Sequence, residues 1–336
     1  MADAPRIAVL GAGSVGCFIG GCWQAAGLPV TFVGRQRIAE DVRANGLTLS
    51  DYDGWSTHLA DVDYRTDASA LAEADIIALT VKSAATAAAA RDIGAHARKG
   101  TLVISFQNGI GNVDVLGEAL GNWVEIVRGV VPYNVAYLGD GRFHKGVAGV
   151  LYAADRPQTR ALSGAIGESP AALRLSGDML AVAWGKLLIN LNNAVNALSG
   201  RPLLDQLGER DYRQVVAASQ REALRLLGRA GIRPAKVGAV PPRLLPLVLG
   251  SPDWLFNRLF LKAWKIDAQA RSSMADDLAA GRKTEVDYLN GELVALAERL
   301  GTDAPVNRAI VALVRWAEAG ARPWAPAALR REVLGR

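Results

Sequence analysis

Short apolar runs alternate with glycine turns and helical periodicities through the first 130 or so residues. Arg6–Leu10 (RIAVL) predicts a strand buried on both faces, and a glycine-rich turn follows at once. Ser14–Ala26 predicts a helix stopped by Gly27. Val30–Val33 predicts the second strand, closed by Gly34. Residues 47–66 predict extended pieces with a turn at Asp53-Gly54. Asp75–Val81 (DIIALTV), Thr101–Phe106 and Val124–Val131 predict further strands. Helices at Ala84–Ala97, stopped by Gly100, and Val113–Leu120 fall between them. This alternation is the signature of a doubly wound parallel sheet. Residues 133–153 carry β-formers around Gly139-Asp140-Gly141, which predicts an antiparallel hairpin or meander at the sheet edge.

From Asp178 the pattern becomes helical. Asp178–Leu198, Tyr212–Ala230, Ile266–Ala280, Thr284–Leu300 and Asn307–Ala319 show helical periodicity. Gly200, Gly231, Gly281, Gly301 and Gly320 stand at the expected stops. Pro157–Gly177 predicts a linker. The fold class is therefore α/β: an N-terminal Rossmann-type doubly wound sheet over residues 1–170, then an all-helical C-terminal domain over 178–330. A length of 336 residues agrees with two cores rather than one.

Composition narrows the classes. Half of the residues are hydrophobic, which marks a globular chain. The net charge of +5 is spread without a basic block, which argues against nucleic acid as a partner and suits anionic metabolites. Cys17 and Cys22 lie five residues apart on a predicted helix, facing different ways, so no disulfide is expected. No metal-ligand spacing occurs, and His58, His96 and His144 are expected on the surface or in loops. No signal peptide precedes the first strand, and no run approaches the roughly 18 apolar residues of a membrane span, so a cytoplasmic protein with no membrane contact is expected. The apolar stretch Leu244–Trp264 is broken by Pro246, Pro252, Asp253 and Arg258. It predicts irregular helices near a cleft or a subunit contact. A homodimer is compatible with the sequence, which names no contact surface.

The chemistry gathers at strand ends. Gly11-Ala12-Gly13-Ser14-Val15-Gly16 follows the first strand and opens the first helix, the context in which G-x-G-x-x-G cradles a pyrophosphate. The second strand ends in Gly34-Arg35-Gln36-Arg37, with the first acid at Glu40. An acid there would repel a 2′-phosphate and an arginine would pair with it, so NADP(H) is expected, with Arg35 as main contact. Lys82 follows DIIALTV, and Gln107-Asn108-Gly109 follows TLVISF, on the same predicted rim. Trp184-Gly185-Lys186-Leu-Leu-Ile-Asn190 puts Lys186 and Asn190 one helical turn apart, with Asn193 near the same stripe. Ser272-Ser273-Met274 and Thr284-Glu285 border helices, where plain capping is the competing role.

In this order the motifs resemble the ketopantoate reductase family over nearly the whole chain: GAGSVG, TVKS, QNG, WGKLLIN, SSM and KTEVDYLNG. The resemblance implies NADPH-dependent reduction of a small 2-keto acid, 2-dehydropantoate, in pantothenate and coenzyme A biosynthesis. It implies Lys186 as catalytic lysine and Glu285 as active-site glutamate, which also reaches the cofactor. Ser273 and Asn190 would hold substrate. Asn108 and Lys82 would line the cleft for cofactor and substrate. One position departs from the family: Ala194 replaces an asparagine that helps bind the substrate's far hydroxyl. Asn193 can compensate if the helix is wound differently there; otherwise Ala194→Asn should restore discrimination for that hydroxyl. A reductase of another 2-keto acid, or a non-catalytic NADPH-sensing protein, is the alternative reading.

Overall fold

In the computed structural model of the protein, residues 4–261 and 270–335 are described. The chain forms two compact units, divided after Met179.

The first unit opens with β1 (Ile7–Leu10), α1 (Ser14–Ala25), β2 (Val30–Val33) and α2 (Gln36–Asn45). The short strands β3 (Leu47–Asp51), β4 (Ser56–Leu59) and β5 (Asp63–Arg65) follow. Alternation resumes with β6 (Ile76–Leu79), α3 (Thr86–His96), β7 (Leu102–Ser105), α4 (Asn112–Leu120) and β8 (Glu125–Val130). The unit closes with β9 (Val135–Tyr137), β10 (Arg142–Lys145), β11 (Leu151–Ala154), α5 (Pro157–Ile166) and β12 (Leu173–Ser176).

The main sheet has the order β12-β11-β8-β7-β6-β1-β2-β5. β1 is buried at every residue because it carries only apolar side chains and pairs in parallel on both edges, Ile7 opposite Val30 and Ile76. From β1 the chain moves to β2 and β5 on one side, then re-enters at β6 on the other. The reversal between β1 and β6 is the switch point at which such sheets bind ligands, beyond the carboxyl ends of the strands.

A second sheet, β4-β3-β10-β9, covers the other side of α1. Two adjacent glycines make that possible. A Cβ at Gly20 would lie 2.6 Å from the Phe32 ring of the main sheet, and one at Gly21 would lie 2.7 Å from Leu47 and Leu49 of the second. The meander expected at the sheet edge therefore divides: β9 and β10 join the second sheet, and β11 alone joins the main one, antiparallel to β8. Residues 157–177 are not a linker either. Leu162, Ile166 and Leu173 are buried in the main core, which draws this stretch into α5 and the edge strand β12. α2 was not evident from the sequence; it buries Ile38, Ala39 and Val42. His58 is exposed, as expected, and His144 is half-buried; both lie on strands, with ring nitrogens 2.9 Å from Thr48 Oγ1 and 2.8 Å from Ser50 Oγ respectively. Cys17 and Cys22 are both buried and free.

The described part of the second unit is helical: α6 (Met179–Asn190), α7 (Asn192–Ser199), α8 (Leu203–Gly208), α9 (Arg210–Arg229), α10 (Leu245–Gly250), α11 (Asp253–Phe256), α12 (Ser273–Ala279), α13 (Val286–Arg299), α14 (Pro305–Glu318) and α15 (Pro326–Leu334). α9 carries the fully buried Arg213, whose guanidinium donates to the carbonyls of Leu207, Gly208, Leu249 and Ser251 and to Asp253. One cation thereby ties α8, α10 and α11 to α9, the irregular arrangement expected for this apolar stretch; its residues beyond Leu261 lie outside the described ones. The helix expected over Asp178–Leu198 is interrupted at Leu191, where Gln220 Nε2 of α9 donates to the Leu188 carbonyl at 3.0 Å. The helix expected over Ile266–Ala280 begins at Ser273, and residues 266–269 lie outside the described ones. Among the described residues no helix is long and apolar enough to cross a membrane.

Candidate active site

Three glycines of the first turn do different things. Gly11 has φ +88° and a Cβ there would lie 2.6 Å from the Val81 amide nitrogen. A Cβ at Gly16 would lie 2.5 Å from Thr80 Oγ1. Both glycines are required by the packing of β1 and α1 against the end of β6. At Gly13 a Cβ would meet nothing nearer than the Gly11 carbonyl at 3.9 Å. Its missing side chain leaves room on the outside of the turn, at the end of a helix with no side-chain cap and no acid in its first turn. Ser14 and Val15 begin that helix, and Val15 packs on the core. Such a cradle fits the pyrophosphate of a dinucleotide.

The turn is pinned from below. Buried Ala12 takes the Val33 carbonyl through its amide at 2.9 Å, and its own carbonyl accepts from Tyr64 Oη at 2.5 Å. Burial pushes the Tyr64 phenol well above its ordinary range, so it stays a donor. Sequence reasoning missed Tyr64, because nothing local on β5 points toward a turn 52 residues away.

Arg35 and Arg37 part company. Arg37 lies 3.6 Å from Asp41 and over the Tyr137 ring at 5.2 Å. Arg35, exposed at the N-cap of α2, makes no ion pair among the described residues. The next rim loops are knitted together. Ser83 Oγ donates to the Asn108 carbonyl at 2.9 Å, and Asn112 Nδ2 donates to the same carbonyl at 2.5 Å. Thr86 bridges Asn112 and Gln107, at 2.9 and 2.8 Å. This network fixes Asn108 after β7 and places Lys82 at the head of the next turn after β6. Of its members, Gln107 and Asn108 were legible at the end of β7 and Ser83 within TVKS, whereas Thr86 and Asn112 were not singled out.

In the second unit, α6 carries Lys186 and the buried Asn190. Burial pushes the Lys186 ammonium down to about 8. Beyond the interruption at Leu191, Asn193 remains partly exposed, while Ala194 is fully buried in the hydrophobic cluster with Val216, Met274 and Ala275. Asn196 is also buried, donating to the Arg201 carbonyl at 2.9 Å and accepting from the Ser272 amide at 2.9 Å. Ser272 caps α12 and its hydroxyl donates to the Asn193 carbonyl at 3.1 Å. The two adjacent serines are thereby separated in role: Ser272 caps, and Ser273 presents an exposed hydroxyl on a helix tied to α7. Glu285 stands at the N-cap of α13, half-buried. Among the described residues no His, Cys, Asp or Glu cluster is placed to hold a metal ion.

The family described as "Ketopantoate reductase PanE/ApbA" matches residues 7–158, and its C-terminal counterpart matches residues 178–318. The chain belongs to the ketopantoate reductase family. It is 29% identical over 328 residues to the 2-dehydropantoate 2-reductase of Halobacterium salinarum, spanning 93% of this chain and 99% of that one. A solved PanE/ApbA family ketopantoate reductase from Ralstonia eutropha is 27% identical, with a TM-score of 0.78 over 94% of this chain and 99% of that one. The fold is also shared by a D-mandelate dehydrogenase solved with NADH and anilino(oxo)acetate, 19% identical with a TM-score of 0.77, covering 94% of this chain and 99% of that one. As a ketopantoate reductase family member the protein is an oxidoreductase acting on a CH–OH group, with a nicotinamide cofactor.

Proposed function

We propose that the protein reduces 2-dehydropantoate to pantoate with NADPH, the reductive step that supplies pantothenate for coenzyme A. The observation that carries this reading is Lys186: an amine kept by burial near 8, one helical turn from buried Asn190, in a ketopantoate reductase family member. Residues Gly11–Gly16 of the first turn would hold the pyrophosphate, and Arg35 the 2′-phosphate through charge-assisted hydrogen bonds. When bound, the nicotinamide supplies the hydride that reaches the keto carbon.

The remaining work falls to the protein. Negative charge grows on the keto oxygen as its carbonyl is reduced. Lys186, still mostly an ammonium at neutral pH, stabilises that charge and gives up a proton to the oxygen. The Ser273 hydroxyl and the Asn190 amide hold the substrate carboxylate and its neighbouring oxygen. Glu285 orients the lysine or a ribose hydroxyl, and Asn108 and Lys82 line the cofactor side. Loss of NADPH absorbance on adding 2-dehydropantoate to the purified protein tests the proposal, with a panel of other 2-keto acids alongside. Turnover of another 2-keto acid with none of 2-dehydropantoate would overturn the substrate assignment.

A second reading, reduction of a 2-keto acid without the far hydroxyl, draws on Ala194. Its full burial in a hydrophobic cluster leaves the partly exposed Asn193 as the amide beside that position in sequence. The same panel separates the two.

A further inference from the structure

Gly185 lies inside α6, immediately before Lys186, where glycine weakens a helix relative to alanine. The structure supplies its reason. A Cβ at Gly185 would lie 2.1 Å from the Ala235 carbonyl oxygen and 3.1 Å from Val237 Cγ2. The Ala235 amide donates to the Ala181 carbonyl at 2.8 Å. Further on, a Cβ at Gly238 would lie 3.1 Å from Ile189 Cδ1. The extended stretch between α9 and α10 therefore runs along Ala181, Gly185 and Ile189, a single i, i+4 stripe of α6. Lys186 and Asn190 form the neighbouring stripe, one residue farther round the helix.

We propose that residues 235–238, seated on Gly185, form a side wall that keeps water from the Lys186 amine, which makes Gly185 a positioning residue. The inference rests on Lys186 being the working amine of the proposed reaction. The wall itself concerns only the second unit. Arg233 and Lys236, the charged residues of this stretch, are exposed to solvent, so the wall acts by excluding water rather than by its own charge. The depressed ammonium is consistent with this, since burial is its cause. A side chain at Gly185 cannot be absorbed by a rotamer change, because what it meets is backbone. The stretch must lift, and Lys186 must gain water.

The test follows Lys186 directly. Lysines of the full-length protein are labelled by reductive methylation with a carbon-13 methyl, and the Lys186 signal is assigned by its loss in Lys186→Arg. Its titration midpoint is read without substrate in the wild type, Gly185→Ala and Gly228→Ala. Gly228 is the control, a helical glycine whose Cβ would meet nothing within 4 Å. Gly185→Ala should raise the midpoint by about one pH unit or more, toward that of a solvated lysine, while Gly228→Ala leaves it in place. A folded Gly185→Ala protein with an unmoved midpoint overturns the proposal. If Gly185→Ala does not fold, Val237→Ala decides: it thins the wall and leaves the seat, and an unmoved midpoint there overturns the proposal equally. A raised midpoint in a protein that reduces no 2-keto acid would keep the wall and sink the catalytic reading of Lys186.

Discussion

Tyr64 Oη donates a 2.5 Å hydrogen bond to the carbonyl of Ala12, tying an edge strand to the middle of the glycine turn. The approach is close enough that a Cβ at Gly34 would lie 2.2 Å from the same phenol oxygen. Tyr64→Phe should remove it without removing the ring that stacks on Phe32. A lost neutral hydrogen bond is worth about 0.5–1.5 kcal/mol, part of which would appear as loosened turn geometry. Cofactor dissociation constants should rise by roughly 2–10-fold with little change in kcat. Titration calorimetry with NADPH checks this, and unchanged affinity would show that the turn holds its shape unaided.

In the proposed reaction Arg35 would be the residue that decides between the two nicotinamide cofactors. Arg37 is engaged by Asp41 and Tyr137, whereas Arg35 makes no ion pair among the described residues. Arg35→Ala should raise the KM for NADPH by roughly 10–100-fold, the loss of one charge-assisted contact of about 1.5–3 kcal/mol. The KM for NADH should barely move. Arg37→Ala should have the smaller effect on both. A wild type that uses NADH and NADPH equally well would remove the role given to Arg35.

The glycine turn offers a cleaner separation of fold from binding. Gly16→Ala puts a Cβ 2.5 Å from Thr80 Oγ1 and 2.9 Å from Val9 Cγ1, so it should lower the melting temperature. A Cβ from Gly13→Ala meets only the Gly11 carbonyl, at an unstrained 3.9 Å, so stability should stay close to wild type while cofactor affinity falls at least about tenfold. Thermal unfolding with and without NADPH measures both. A destabilised Gly13→Ala protein would mean that Gly13 serves the backbone, not a ligand.

In the proposed reaction Lys186 would set the pH dependence. Burial disfavours the charged form, so its ammonium gives up its proton near 8 rather than at the ordinary lysine value. If that ammonium stabilises the developing oxyanion and donates the proton, kcat should hold below about 8 and fall as pH rises through it. Lys186→Met should remove the titration and lower kcat by about 100–1,000-fold, with NADPH affinity nearly unchanged. A kcat that keeps rising above that pH would assign the proton to another group.

Much of this was written locally in the chain. The strand–turn–helix context of Gly11–Gly16 and the one-turn spacing of Lys186 and Asn190 need only neighbouring residues to be read. What was hidden depends on distant partners. Residues 133–145 alternate like an edge meander, but they pair with β3 because α1 has a second face to cover. Pro157 and the glycines near it read as a linker, although three apolar residues of α5 and β12 complete the main core. The single helix over Asp178–Leu198 is interrupted where Gln220, nearly three turns into α9, reaches the Leu188 carbonyl. Tyr64 and Gly185 matter through contacts tens of residues away, which no spacing rule along the chain discloses.

In the proposed reaction the burial of Ala194 bears on substrate choice. Leu191 keeps helical backbone angles and donates to the Leu187 carbonyl, so residue 194 stands about one turn beyond Asn190, and Ala194→Asn would restore an amide for the far hydroxyl if it were open to substrate. Instead Ala194 is fully buried among Val216, Met274 and Ala275, while Asn193 keeps part of its surface open and its carbonyl bound to Ser272. An asparagine at 194 would bury an amide in an apolar cluster at a cost of about 1–3 kcal/mol. Ala194→Asn should therefore lower the melting temperature and leave the ratio of kcat/KM between 2-dehydropantoate and its analogue lacking the hydroxyl unchanged. Asn193→Ala should compress that ratio by roughly 5–100-fold through KM, since only the hydroxylated substrate loses a partner. Measuring both substrates with both variants separates these outcomes. A stable Ala194→Asn enzyme with sharpened discrimination would mean that residue 194 faces the substrate after all, and that the cluster opens to let it.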